Sequence, residues 1–183
     1  MKILAMMGMS AALLAAREGQ DKKEFQPPQA QKQHEWLKQL IGEWDADIQM
    51  YFHDKPEASQ GRESGRMVGE FWAVMENKGE FRGKPFFGVF TIGYDTDQKK
   101  FVGTWYDSMS HHMWQYTGDV DSAGKILTLE TEGPCPGEGG KIMKFRETIE
   151  IKTPDHKVLT SMKEKDGKWV KNVVINYKRR ASE

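Results

Sequence analysis

The sequence predicts an all-β fold: an antiparallel barrel of about ten strands with one short helix at its N-terminal side. Three observations carry this. Beyond residue 44, apolar and polar residues alternate with a period of two over most of the chain. Turn residues break that alternation roughly every ten residues, the interval of sandwiches and barrels. No long helical stretch separates the strands, which argues against a parallel α/β sheet. Glycines inside the strands (Gly69, Gly88, Gly93, Gly103 and Gly118) suit the bends of a small closed barrel, and closure removes unpaired edges. A two-sheet sandwich is the other arrangement that the same pattern allows.

The chain has 183 residues, a length that fits one domain, read here as residues 31–180. Its 27 basic and 27 acidic residues cancel. This balance gives no long-range field for gathering nucleic acid or an anionic membrane, so neither is expected as a partner. With 6 Trp, 5 Tyr and 9 Phe, the chain has enough burial to offset its ordering entropy.

Residues 1–16 differ from the rest. Met1-Lys2 leads into an uncharged run from Ile3 to Ala16, followed by Arg17, the layout of a secretory signal peptide. The run is shorter than the ~20 apolar residues of a membrane span. The expectation is an exported protein, periplasmic or secreted, whose mature chain is not inserted in a membrane. An ordinary N-terminal helix on a cytoplasmic protein is the other reading. Residues 17–30 are polar with the pair Pro27-Pro28 and read as a flexible leader.

The elements follow in order. Trp36, Leu37, Leu40 and Ile41 form one stripe at helical spacing within 31–41, and Gly42 supplies the stop. At Trp44 the period changes to two: Trp44, Ala46, Ile48, Met50 and Phe52 alternate with polar neighbours, giving a strand over 44–53. Further strands are expected at 62–70, 71–81, 84–94, 100–107, 112–120, 125–132, 142–152, 157–165 and 168–178. The breaks carry turn residues, of which Asp166-Gly167 is the strongest hairpin signal, because a two-residue type I′ turn needs positive φ at both centres.

Leu40-Ile41-Gly42-Glu43-Trp44, a helix end running through Gly-x-Trp into the first strand, resembles the entry to the calycin barrels, the group of lipocalins and fatty-acid-binding proteins. With Gly93-Tyr94-Asp95, Trp105-Tyr106-Asp107-Ser108, Gly118-Asp119 and Tyr177-x-Arg179, the chain over residues 34–180 is similar to a bacterial family of domains of unknown function grouped with the calycin-like barrels. The resemblance implies a calycin-like barrel in which Trp44 plugs the closed end beneath a basic side chain. Arg179 is the matching residue, and a guanidinium over an indole is a sound physical pairing. Gly42, Trp44 and Arg179 are thus expected to form the barrel end. The resemblance implies no activity and no catalytic residues.

Asp107, His111 and His112 are the residues best suited to chemistry. Asp107 and His111 could pair as acid and base across a turn, with Ser108 and Ser110 nearby but no nucleophile elbow. Adjacent strand residues face opposite ways, so His111 and His112 make a poor metal site, and no metal is expected. A polar rim at a turn is the plainer account, so no catalytic residue is assigned. His34, His53 and His156 read as solvated or capping groups. No cofactor is expected; were haem held, His112 facing inward would be its axial ligand. Cys135, the single cysteine, excludes an internal disulfide and four-cysteine zinc sites. It falls in Glu132–Gly140, read as a mobile, exposed hairpin loop.

Trp72, Phe87, Trp105, Trp114 and Tyr116 are the candidate ligand-binding residues. A barrel this size is either packed with side chains or holds one small ligand. Arg146, Glu130 and Asn172 could fix a polar head group if they face inward, but the strand phase turns Arg146 outward. The favoured reading is a binding module for a small, largely apolar molecule. A packed scaffold of the cell envelope comes next, and a hydrolase-like enzyme using Asp107 with His111 or His112 comes third. The sequence leaves the oligomeric state open.

Overall fold

The computed structural model describes residues 28–52 and 55–181. The signal segment, nearly all of the leader and His53 lie outside them. One helix, α1 (Lys32–Leu37), precedes ten strands: β1 (Gly42–Met50), β2 (Glu57–Val68), β3 (Trp72–Phe81), β4 (Lys84–Asp95), β5 (Lys100–Asp107), β6 (Trp114–Val120), β7 (Ile126–Cys135), β8 (Lys141–Thr153), β9 (His156–Lys165) and β10 (Lys168–Arg179). Each strand pairs antiparallel with the next, and β1 pairs with β10, so the sheet closes on itself as an up-and-down barrel. The sandwich is thereby excluded.

Short turns make this meander possible. Arg82-Gly83 and Asp166-Gly167 both have positive φ at two successive residues, as tight hairpins between right-twisted strands require. The carboxylates of Asp95 and Asp121 accept backbone N–H groups of their own turns, and those bonds hold both acids below the usual carboxylate range.

One end of the barrel is sealed. Leu37 and Leu40 are fully buried against Ala73, Ile92, Phe101, Leu127 and Leu129. The Trp44 indole donates to Leu40 O (3.1 Å), and the Arg179 guanidinium lies 4.1 Å from the Trp44 ring centroid while donating to Ile41 O (3.0 Å). Gly42 permits this approach: its φ is +114°, and a Cβ there would stand 2.3 Å from Arg179 Nη1. Beneath the indole, buried Lys157 donates to Leu40 O (2.8 Å) and to Glu63 Oε1 (2.5 Å), close to the Trp44 and Tyr177 rings. Burial draws the Lys157 pKa down, and Glu63 opposes that shift. Carbonyls left free after α1 are thus met by side chains of the barrel.

Two expectations are corrected. Strand β2 starts at Glu57 rather than 62, because its early inward positions, Ser59 and Gly61, are too small and polar to display the alternation; a Cβ on Gly61 would stand 2.8 Å from Lys78 O on β3. Strand β7 runs to Cys135, through half of the expected loop. Cys135 is 1% exposed, not a surface thiol. The turn itself is a short 3-10 segment, Pro136–Glu138.

Candidate functional site in the barrel lumen

Along every strand the inner face is set by the sealed end and by register. From β1 to β10 the inward positions include Ile48, Phe90, Trp105, Tyr116, Leu129, Glu147, Leu159, Ser161 and Ile175. Near the sealed end these side chains are buried. Farther along, Ile48, Trp105, Tyr116, Glu147, Leu159 and Ile175 are only half-buried although the wall encloses them. Inward residues of a packed barrel lose their whole surface to neighbours; these do not. The interior between the Trp44 floor and the opposite end is therefore the candidate site.

The aromatic lining lies against the wall. A Cβ on Gly88 would stand 2.4 Å from the Trp105 ring, and one on Gly133 would stand 2.4 Å from the Trp114 ring. Each indole therefore packs against a glycine of a neighbouring strand. Phe86 stacks on Trp105 (21° between planes), and Phe145 meets Trp114 edge-on at 5.0 Å.

A polar chain crosses the opposite wall. Asn172, at the register shift in β10, donates from Nδ2 to Ser161 Oγ (3.3 Å), and Ser161 donates to Glu147 Oε1 (2.9 Å). Asn172 Oδ1 is buried with no hydrogen-bond partner. Burial pushes the Glu147 carboxyl up to about 8, against the lowering effect of the Ser161 bond. The Tyr116 hydroxyl is raised well above its ordinary value by burial first, then by Glu147 and Asp107. At the mouth, buried Lys163 sits 3.7 Å from Cys135 Sγ and 3.4 Å from Glu138 Oε1. Glu138 also takes Lys165 at 2.8 Å, pinning the Pro136–Glu138 turn to β9.

The structure brings Trp105, Trp114 and Tyr116 together on the inner face. It places Trp72 and Phe87 outside, 40% and 53% exposed, so the five do not share one cavity. Trp72 lies over outward-facing Gly93 and borders a surface cleft of about 430 Å³ with Phe71, His34 and Tyr94. Asp107 and His111 form no pair. Asp107 instead accepts from Trp105 Nε1 (2.8 Å) and Met109 N (2.8 Å), His111 is exposed, and His112 packs edge-on against Trp114 at 4.9 Å. Of the two readings of His34, solvated or capping, the structure shows capping: its Nδ1 accepts from Gln31 N at the start of α1, and the buried ring meets Phe71 and Tyr94. Glu130 and Arg146 face outward, bonded to each other at 2.7 Å, with Arg146 over Trp169. Of the three polar residues weighed for a head group, Asn172 alone reaches the lumen side. Sequence reasoning misses Glu147 and Ser161, although Phe145, Ile149 and Ile151 share their phase with Glu147.

A family model described as a protein of unknown function (DUF1579) matches residues 29–179. None of the curated proteins matches the chain. Among solved structures it is similar to Rv2717c from M. tuberculosis, at 12% identity and a TM-score of 0.57, covering 84% of this chain and 100% of that one. It is also similar to the S-type phycobiliprotein lyase CPES from Guillardia theta, at 16% identity and a TM-score of 0.56, covering 85% and 100%. At these identities the likeness is one of fold.

Proposed function

The chain belongs to the DUF1579 family of proteins of unknown function, and for this member we propose a role drawn from the lumen: the barrel binds one small, flat, largely apolar molecule between its Trp44 floor and its mouth. The observation that carries this reading is the layer of enclosed yet half-buried side chains, with Trp105 and Trp114 packed against glycines. A wall of aromatic faces suits a planar guest, because offset stacking and apolar burial add together there. The hydrolase reading loses its acid–base pair, since Asp107 is occupied by Trp105 and Met109.

The test is native mass spectrometry of the chain purified from its own host, with extraction of any retained molecule. It is paired with a titration using N-phenyl-1-naphthylamine, a neutral flat probe. Retention near one-to-one, together with probe fluorescence that falls in a Trp105→Ala variant, is the expected result. An apo mass with no probe binding overturns the proposal and leaves a solid scaffold.

A further inference from the structure

We propose that the barrel interior takes cationic amines: flat ring ligands whose ammonium group donates to Glu147 Oε2 while the rings lie among Trp105, Trp114 and Tyr116. The inference rests on the reading that the interior holds a ligand, and it names the head group of that ligand.

Glu147 stands on the inner face of β8 between Phe145 and Ile149, with Leu129 of β7 and Ser161 of β9 as its register partners. Its Oε1 accepts the Ser161 hydroxyl (2.9 Å), and among the described residues no group bonds Oε2. Yet Oε2 is not sealed in. Among the described residues, the one fully buried side-chain oxygen or nitrogen without a hydrogen bond is Asn172 Oδ1. Glu147 Oε2 therefore keeps accessible surface, in keeping with the half-buried state of the residue. Because the side chain points inward, that surface faces the interior. A carboxyl oxygen set in an aromatic wall, reachable and without a donor of its own, is the place for a ligand's donor.

Charge decides which donor fits. The titratable groups facing Glu147 from the surrounding strands are Tyr116 of β6, Asp107 of β5, Tyr177 of β10, Glu63 of β2, and Lys157 and Lys163 of β9. Both lysines are engaged: Lys157 by Glu63 and Leu40 O, Lys163 by Glu138 and Cys135. Asp107 takes neutral donors, Trp105 Nε1 and Met109 N, which leave its charge uncancelled. Arg146 points out of the barrel. A carboxylate ligand would be desolvated against another carboxyl, and a wholly apolar one would strip water from Oε2 and replace it with nothing. An ammonium supplies both the hydrogen bond and the opposite charge. The rings nearby favour the same guest, because aromatic faces attract cations. Phe145, two residues from Glu147 on the same face, meets Trp114 at 5.0 Å, and Tyr116 lies within electrostatic reach of Glu147. In the absence of ligand, burial keeps the carboxyl protonated at neutral pH, so binding of the cation releases one proton to solvent.

Three compounds on one ring system separate the possibilities in equilibrium dialysis: 1-naphthalenemethylamine, 1-naphthalenemethanol and 1-naphthoate. At pH 8 the amine is expected to bind roughly tenfold tighter than the alcohol, with the carboxylate weakest. Its affinity should rise close to tenfold from pH 6 to pH 7 and level off above about 8, as the carboxyl ionises, while that of the alcohol does not follow this curve. Glu147→Gln is expected to bring the amine to within about twofold of the alcohol and to abolish the pH dependence. Amine and alcohol binding alike, tightest binding of the carboxylate, or an amine preference that survives Glu147→Gln overturns this inference and leaves the interior as a binding site. Binding of N-phenyl-1-naphthylamine without any of the three does the same, whereas failure of that probe as well removes both readings. The wild-type ranking and its pH dependence decide the matter should the Glu147 variant fail to fold.

Discussion

Replacing Glu147 by Gln is expected to stabilise the barrel at neutral pH. An unfolded glutamate titrates near 4.5, whereas burial in the lumen moves Glu147 to about 8. The folded chain therefore binds a proton at pH 7 that the unfolded chain has released. Taking up that proton costs 2.303RT for each pH unit between 4.5 and 7, about 3 kcal/mol when the lumen is dry and less as water enters it. The sign follows from the folded value lying above the unfolded one. The stability associated with this group is complete below pH 4.5, declines as pH rises, and has been lost once pH passes about 8. The amide introduced by Glu147→Gln would keep the acceptor for Ser161 and has nothing to ionise. The two proteins should melt together at pH 4, separate by roughly 6–12 °C at pH 7, and hold that gap or widen it modestly above pH 8. Circular dichroism melts across pH 4–9 measure this directly. A wild type as stable as the variant at pH 7, or a gap that does not change with pH, refutes the enclosure of the carboxyl.

Two further substitutions probe the ends of the barrel. Glu63→Ala strands the buried Lys157 ammonium and should cost roughly 3–5 kcal/mol in urea unfolding, most of it recovered in the double variant Glu63→Leu, Lys157→Met. Survival of the single variant at wild-type stability contradicts the buried pair. Gly133→Ala puts a Cβ 2.4 Å from the Trp114 ring and 2.8 Å from His112 Nε2. The displaced indole should swing into the lumen, costing about 1–3 kcal/mol and weakening probe binding at concentrations where the variant stays folded. Unchanged probe affinity would mean that Trp114 does not border the bound molecule.

What the sequence revealed and what it hid divide along a physical line. Strand positions were legible because alternation is a one-dimensional signal, and the turns at Arg82-Gly83 and Asp166-Gly167 reinforce it. Facing was not legible where both faces are apolar. Trp72 and Ala73, or Phe86 and Phe87, present the same character to either side, so phase is decided by partners on neighbouring strands. Trp72 lies over Gly93 on the outside, while Trp105 lies over Gly88 on the inside. The inward carboxyl was within reach of the same reasoning: the phase that turns Arg146 outward turns Glu147 inward between Phe145 and Ile149. A charged side chain at an apolar position of a strand is the signal that would have found it. Asn172 owes its place to the register shift between Lys171 and Val173, which no local pattern announces.

The closure of β1 on β10 has a consequence for how the barrel is made. Nine of its pairings join strands that follow one another in the chain and can form as successive hairpins during synthesis. The tenth joins the first strand to the last, Trp44 beside Arg179. Until β10 emerges, the growing sheet carries two open edges, and the Trp44 indole waits without its guanidinium. The last strand to be translated thus both removes the edges and seats the floor. A nascent chain stalled before Lys168, the start of β10, is a sheet with exposed edges, the form in which a barrel protein is most at risk of pairing with its neighbours.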